Sequence, residues 1–248
     1  MMKSISHRFG LLAIMFFLGC HVCYSAGSAT PKKIKKETQE GFLPGGNGSL
    51  VSDSSRTIIT YDMNGNVLDE TEWSLWPQYQ KMVAYTKKNF YDSSGKVDST
   101  VIFIDGKYSL KLEYGYDAEG KEMFIQEINS ERQPSFRSTN TYNELDQKIR
   151  TNMSDPRGKP YNVKLYNYDK RGNLVDESGS ETGEPRYRWI YKYDRKNRLI
   201  ERKDYSGTGA FLRKHKYDYS KEGKTTKETV TTQNGQVERI VKYRYEYY

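Results

Sequence analysis

The sequence predicts an all-β protein, an elongated antiparallel β-hairpin array forming a meander of about 14–16 strands. Three observations carry this. A tyrosine-led turn motif recurs at nearly constant spacing, a second set of turn residues falls midway between its copies, and the intervening segments alternate aromatic or aliphatic residues with charged ones.

The motif reads Tyr-Asp-x-x-Gly followed by a polar and then a hydrophobic residue. It begins at Tyr61, Tyr91, Tyr116, Tyr142, Tyr168, Tyr193 and Tyr219, with Tyr245 ending the series. Successive tyrosines lie 30, 25, 26, 26, 25, 26 and 26 residues apart, the period of one supersecondary unit. The fifth position holds Gly65, Gly95, Gly120, Asp146, Gly172, Asn197 and Gly223, all residue types that accept positive φ. With an Asx at the second position this describes a type I turn closed by a G1 bulge, the Asx side chain accepting a backbone N–H. Ser220 stands where the last copy lacks the Asx.

Midway between these copies lie Trp76-Pro77, Asp105-Gly106, Gln133-Pro134, Asp155 to Gly158, Glu181 to Glu184, Ser206 to Gly209 and Asn234-Gly235. Each repeat therefore holds two strands of about eight residues, joined too tightly for parallel crossovers. Alternation is clearest where Tyr187, Trp189, Tyr191 and Tyr193 share one face against Arg186, Arg188 and Lys192 on the other. In the last strand Val237, Val241, Tyr243, Tyr245 and Tyr247 stand against Glu238, Lys242, Arg244 and Glu246.

Composition fits a thin, wet architecture. The 248 residues are 35% hydrophobic and 29% charged, and 22 tyrosines supply area that aliphatic residues do not. The formal net charge is +8, yet signs alternate closely along most of the chain, which favours solubility over nucleic-acid binding. Residues 1–25 read as a signal peptide: Lys3 and Arg8 precede an apolar run from Gly10 to Cys20, with small residues at Ser25, Ala26 and Ala29 beyond it. That run is too short to span a bilayer, and no later segment approaches the length needed. A competing reading places a lipid anchor at Cys20, because Phe17-Leu18-Gly19-Cys20 resembles the lipobox of bacterial lipoproteins, with Phe17 where that pattern usually has Leu. Either way the product is exported, to the periplasm, the cell surface or beyond, and no disulfide framework is expected. Residues 26–55, with the Lys32-Lys33-Ile34-Lys35-Lys36 run and the Pro44 to Ser49 stretch, read as a flexible linker, leaving 56–248 as the repeat domain.

The pattern Tyr-Asp-x-x-Gly-Asn-hydrophobic, best seen from Tyr61 to Val67 and from Tyr168 to Leu174, resembles the YD or RHS repeat of bacterial surface and toxin-shell proteins. The resemblance covers residues 56–248 and implies a ribbon of hairpins. Long members of that family curl into a shell around a toxic C-terminal domain; this sequence has about seven repeats and ends within the repeat. MORN-type repeats offer a weaker resemblance, similar in period but lacking the regular Asx after Tyr.

The sequence points away from an enzyme. Beyond residue 25 there is one histidine, His215, and no cysteine, which excludes Cys-His catalysis and a His or Cys metal cluster. His215 occupies the strand position of Trp189 one repeat earlier and Val241 one later, which marks a half-buried structural ring. Neighbouring carboxylates such as Asp176 and Glu177 point to opposite faces of a strand and do not form a glycosidase pair. The loop beginning at Asp62 has Trp73 where a calcium loop needs Glu. An outer-membrane barrel is disfavoured because Lys242, Arg244 and Glu246 share one face. No cofactor and no metal are expected. What remains is a binding or scaffolding module of the cell envelope, its partner a glycan or an envelope protein. Carbohydrate is the leading ligand, with Tyr187, Trp189, Tyr191 and Tyr193 as the candidate platform. The alternative is a protein–protein interaction module of a secretion or surface system, pairing by edge-strand addition.

Overall fold

A computed structural model describes residues 33–46, 49–76 and 80–248. The signal peptide, Cys20 and Pro77 lie outside the described residues. In chain order the strands are β1 (Ile34–Pro44), β2 (Leu50–Tyr61), β3 (Val67–Trp76), β4 (Lys81–Tyr91), β5 (Val97–Ile104), β6 (Lys107–Tyr116), β7 (Glu122–Ile128) and β8 (Pro134–Tyr142). The second half contains β9 (Lys148–Ser154), β10 (Pro160–Tyr168), β11 (Leu174–Glu181), β12 (Glu184–Tyr193), β13 (Leu199–Ser206), β14 (Phe211–Tyr219), β15 (Thr225–Thr232) and β16 (Val237–Tyr247).

The seven motif turns have the geometry their residues demand. Asp62 Oδ1 accepts the backbone N–H of Asn64 at 2.8 Å and of Asn66 at 2.9 Å, and Asp169 Oδ1 accepts those of Arg171 and Asn173 at 2.8 and 2.9 Å. Positive φ falls on Gly65, Gly95, Gly120, Asp146, Gly172, Asn197 and Gly223, and the ladder register shifts beside each turn.

The motif tyrosine ties consecutive hairpins together. Tyr91 donates its hydroxyl to the carbonyl of Val67 at 2.7 Å, Tyr116 to Val97 at 2.8 Å, Tyr142 to Glu122 at 2.7 Å, and Tyr168 to Lys148 at 2.8 Å. Tyr219 reaches Leu199 at 2.6 Å and Tyr245 reaches Thr225 at 3.0 Å. In each case the acceptor opens a strand just past the preceding motif turn, so the repeated Tyr satisfies a carbonyl beside the bulge.

All strands are antiparallel, but the array is not open. β16 pairs with β1, with Tyr243 opposite Gln39 and Val241 opposite Gly41, and the sixteen strands form a closed barrel. Two expectations are corrected here. The elongated, open hairpin ribbon is a ring, and the segment read as a linker up to residue 55 supplies β1 and the first half of β2, the strands that close it. The linker reading failed because it looked for the motif and for apolar alternation, and residues 34–55 have neither the motif nor a regular apolar face.

Antiparallel partners project to the same face, so register carries one set of side chains around the ring. Tyr191 opposes Arg202, Arg202 opposes His215 and His215 opposes Val230. Arg202, His215 and Val230 are buried, which identifies this set as the inner wall. The alternate set, Lys192 opposite Glu201 and Glu201 opposite Lys216, faces outward. Lys242, Arg244 and Glu246 belong to that outer set, where Glu246 pairs with Lys36 at 2.9 Å and Arg244 with Glu40 at 2.5 Å. Two small outward-phase residues, Thr38 and Ser99, are also buried.

The core is thin. Buried hydrophobic residues among those described are Val83, Ile102, Tyr217, Val230 and Val241, and no large side chain is fully enclosed. A closed sheet of this strand number encloses more space than its wall side chains fill, which accounts for the half-buried state of most inner tyrosines.

Candidate functional site

The most developed part of the inner wall runs from β10 to β16. At its centre, Arg202 and Asp204 sit two residues apart on β13 and so share the inner face, with His215 of β14 opposite Arg202 and Glu228 of β15 beside it. Arg202 donates from Nε to Asp204 Oδ1 at 2.8 Å and from Nη2 to Oδ2 at 3.2 Å. His215 Nε2 lies 3.0 Å from Asp204 Oδ2 and Nδ1 lies 2.6 Å from Glu228 Oε1. Tyr243 donates to Glu228 Oε2 at 3.3 Å. All four charged residues are buried, with relative exposures between 4% and 6%.

Carboxylates only accept, so a ring held between two of them is favoured in its doubly protonated, donating form. Burial works against the charge on His215, but the hydrogen bonds to Asp204 and Glu228 outweigh it and raise the pKa. Arg202, whose Nη2 lies 2.9 Å from Nε2, opposes that rise. Burial pushes Asp204 and Glu228 up, yet bonding to His215, reinforced by Arg202, holds both below the ordinary carboxylate range. The cluster thus sets Arg202 and His215 against Asp204 and Glu228 in a site closed to bulk water.

Beside it stand the four aromatic residues singled out by sequence. Tyr187, Trp189, Tyr191 and Tyr193 line the inner face of β12. Tyr187 and Trp189 rings stack with centroids 4.5 Å apart, and the Arg202 guanidinium lies 5.2 Å from the centroid of the indole. Glu177 of β11 accepts the Tyr187 hydroxyl at 2.8 Å and the Tyr191 hydroxyl at 3.2 Å. Lys164 of β10 lies on the same wall, its pKa lowered by burial and partly restored by Glu177. Tyr187 also covers Gly179, where a Cβ would run into its ring.

Structure therefore brings the four aromatics to one wall, but it engages Trp189 with Tyr187 and Arg202. The residues that organise the wall, Glu177, Arg202, Asp204 and Glu228, are charged ones that alternation on β11, β13 and β15 could have placed inward. Asp176 and Glu177 point to opposite faces, Asp176 meeting Arg188 outside. Among the described residues no group of three or more His, Cys, Asp or Glu side chains is placed to hold a metal ion, and no helix is long and apolar enough to cross a membrane.

No protein-family model matches the chain, and no curated protein matches its sequence. Among solved structures, the chain is similar to a porin-like protein from Bacteroides uniformis, at TM-score 0.58 and 12% identity over 87% of this chain and 99% of that one. A LolA superfamily protein from Nitrosomonas europaea matches at TM-score 0.36 and 11% identity over 87% of this chain and 86% of that one. A Photorhabdus luminescens Tc holotoxin pore matches at 0.37 and 14% identity, over 75% of this chain and 11% of that one. The last two fall well short of a shared fold. The likeness to the porin-like protein is one of fold, spans nearly the whole of that molecule, and agrees with the closed sheet. It overturns the YD or RHS resemblance and the weaker MORN one: the turn motif is a local solution to tight hairpins, and here those hairpins build a closed barrel.

Proposed function

We propose that the chain is an exported, non-enzymatic binding module of the bacterial cell envelope that holds a polar ligand against the inner wall of its barrel. The observation that carries this reading is the chemistry of that wall: it presents Tyr, Trp, Glu, Lys and Arg side chains where a structural core would present aliphatic ones. Rings flanked by charged hydrogen-bonding groups suit carbohydrate, which remains the leading ligand class. Export rests on the N-terminal sequence, and a periplasmic or surface location follows from it. The competing route, edge-strand addition to a protein partner, loses its basis because β1 and β16 pair with each other.

A glycan array run beside a pull-down from envelope extract tests the proposal. The wild-type chain should retain a glycan, and Glu177→Gln, which removes the charge where Tyr187, Tyr191 and Lys164 converge, should weaken retention without unfolding the barrel. Retention of an envelope protein unaffected by Glu177→Gln would overturn it in favour of an outer-surface interaction module, and so would no retention in either assay.

A further inference from the structure

One rim of the barrel is split by charge. The seven motif turns share the rim at which β1 begins and β16 ends, because Ile34 pairs with Tyr247 and Lys33 donates to the carbonyl of Met63 in the first motif turn at 2.7 Å. Around this rim the strand order sets the turns in sequence. Turns 169–173, 194–198 and 220–224 follow one another and lead directly to the start of β1. Together these three turns hold seven Lys or Arg against three Asp or Glu, and Lys33 and Lys35 continue the arc. The other four turns, 62–66, 92–96, 117–121 and 143–147, hold two against six. At the opposite rim the turn residues balance, with Arg132, Arg157 and Lys159 against Asp105, Glu131 and Asp155.

The basic turns also touch. Arg171 donates to the carbonyl of Asp194 at 3.3 Å, and Asn173 donates to Asn197 at 3.3 Å, so the first two of these tips form a continuous surface. Lys170, Lys196 and Lys221 are exposed at those tips. Spread over separate strands of a closed barrel, the charges are held on one arc rather than along a floppy tail.

We propose that this basic arc is a docking surface for an anionic phospholipid bilayer. Two observations choose that partner. The arc is broad and made of exposed tips, which suits a flat charged surface better than a concave protein site. It also surrounds the point where the chain enters β1, and the segment leading there carries Cys20, the lipid-anchor site of the lipobox reading, so the rim joined to that anchor is the rim that carries the positive charge. A single lipid chain or short apolar segment gives marginal attachment alone, and a basic patch beside it is the second contribution that stabilises binding. The acidic arc across the same rim tilts the barrel so that the basic side meets the bilayer.

Co-sedimentation of the exported chain with vesicles tests this. One set contains equal parts phosphatidylglycerol and phosphatidylcholine, the other phosphatidylcholine alone, which measures attachment that needs no anionic charge. The triple variant Lys170→Glu, Lys196→Glu, Lys221→Glu should lose at least tenfold in affinity for the anionic vesicles and nothing for the neutral ones. The control Arg132→Glu, Arg157→Glu, Lys159→Glu changes net charge equally at the far rim and should stay within about twofold of wild type. Circular dichroism verifies that both variants are folded. Equal losses in the two variants would reduce the effect to net charge and overturn the proposal. Retention by dextran sulfate but not by anionic vesicles would also overturn it, assigning the arc to a polyanionic polysaccharide.

Discussion

Arg239 of β16 reaches across β1 and places its Nε 2.7 Å from Asp53 Oδ2 on β2. The path runs over Gly41, where a Cβ would collide with Asp53, Ser55 and the guanidinium, and Ser55 takes a second bond from Arg239. Burial raises the Asp53 pKa, but bonds from Ser55 and Arg239 more than offset it and lower the value. Three strands are thus joined where the ring closes. Gly41→Val should destabilise the protein by about 2–3 kcal/mol through overpacking. Arg239→Ala should cost about 1 kcal/mol or less, since its side chain is 40% exposed. Urea melts of the two variants check the order.

At Gly172 the cost should come from backbone alone. Its φ is +81°, and the nearest atom to a Cβ there is Gln147 Nε2 at 3.5 Å, so space is available. Gly172→Val should lose about 1–3 kcal/mol, whereas Gly172→Asn should be near neutral, as Asn197 occupies the matching turn at φ +59°. An unchanged melting midpoint in the Val variant would contradict the G1-bulge account.

Trp189 is a packing residue before it is a platform. With Tyr187 stacked on it and Arg202 close by, Trp189→Ala should remove about 2–4 kcal/mol. A variant with an unchanged midpoint and lost glycan retention would make the indole a binding platform instead.

The buried cluster sets a pH window. His215 has a raised pKa in the folded state, so its stabilisation is complete below its unfolded value of about 6.5 and is lost as pH rises through the folded value. Asp204 and Glu228 are lowered, so their stabilisation is complete above about pH 5 and is lost as pH falls. The cluster should contribute most between about pH 5 and 6.5. His215→Gln should lower the midpoint most in that interval and flatten its decline toward pH 9, as thermal melts across the range would show.

Inner tyrosines should govern alkaline unfolding. Burial pushes Tyr161 and Tyr166 up to about 12, so the folded state favours their neutral form, and stability falls as pH rises above the ordinary tyrosine value of about 10. Phenolate absorbance should therefore rise together with loss of β circular dichroism near pH 12, and a phenolate signal complete while the sheet persists would contradict the burial.

What could be read from sequence was local. Asp62, Gly65 and their repeats specify turns through interactions within five residues, and alternation placed Tyr187 through Tyr193 on one face. Closure was not readable, because the β1 to β16 ladder joins residues some two hundred positions apart and β1 lacks the motif. Glu37 and Gln39 stand on the inner face of β1, where an amphipathic pattern would have required apolar residues. The same blindness hid Arg202, Asp204 and Glu228: charges in a strand read as solvated, whereas here they satisfy one another inside the ring.

Closure itself is tested most directly by amide hydrogen exchange at the seam. With β1 paired to both β16 and β2, residues 38–40, 42 and 240–242 have ladder partners on both sides. Their amides should exchange as slowly as those of the internal strands β12 and β13. Fast exchange confined to β1 and β16, with the remaining strands protected, would mean two free edges and an open sheet, and would contradict the barrel.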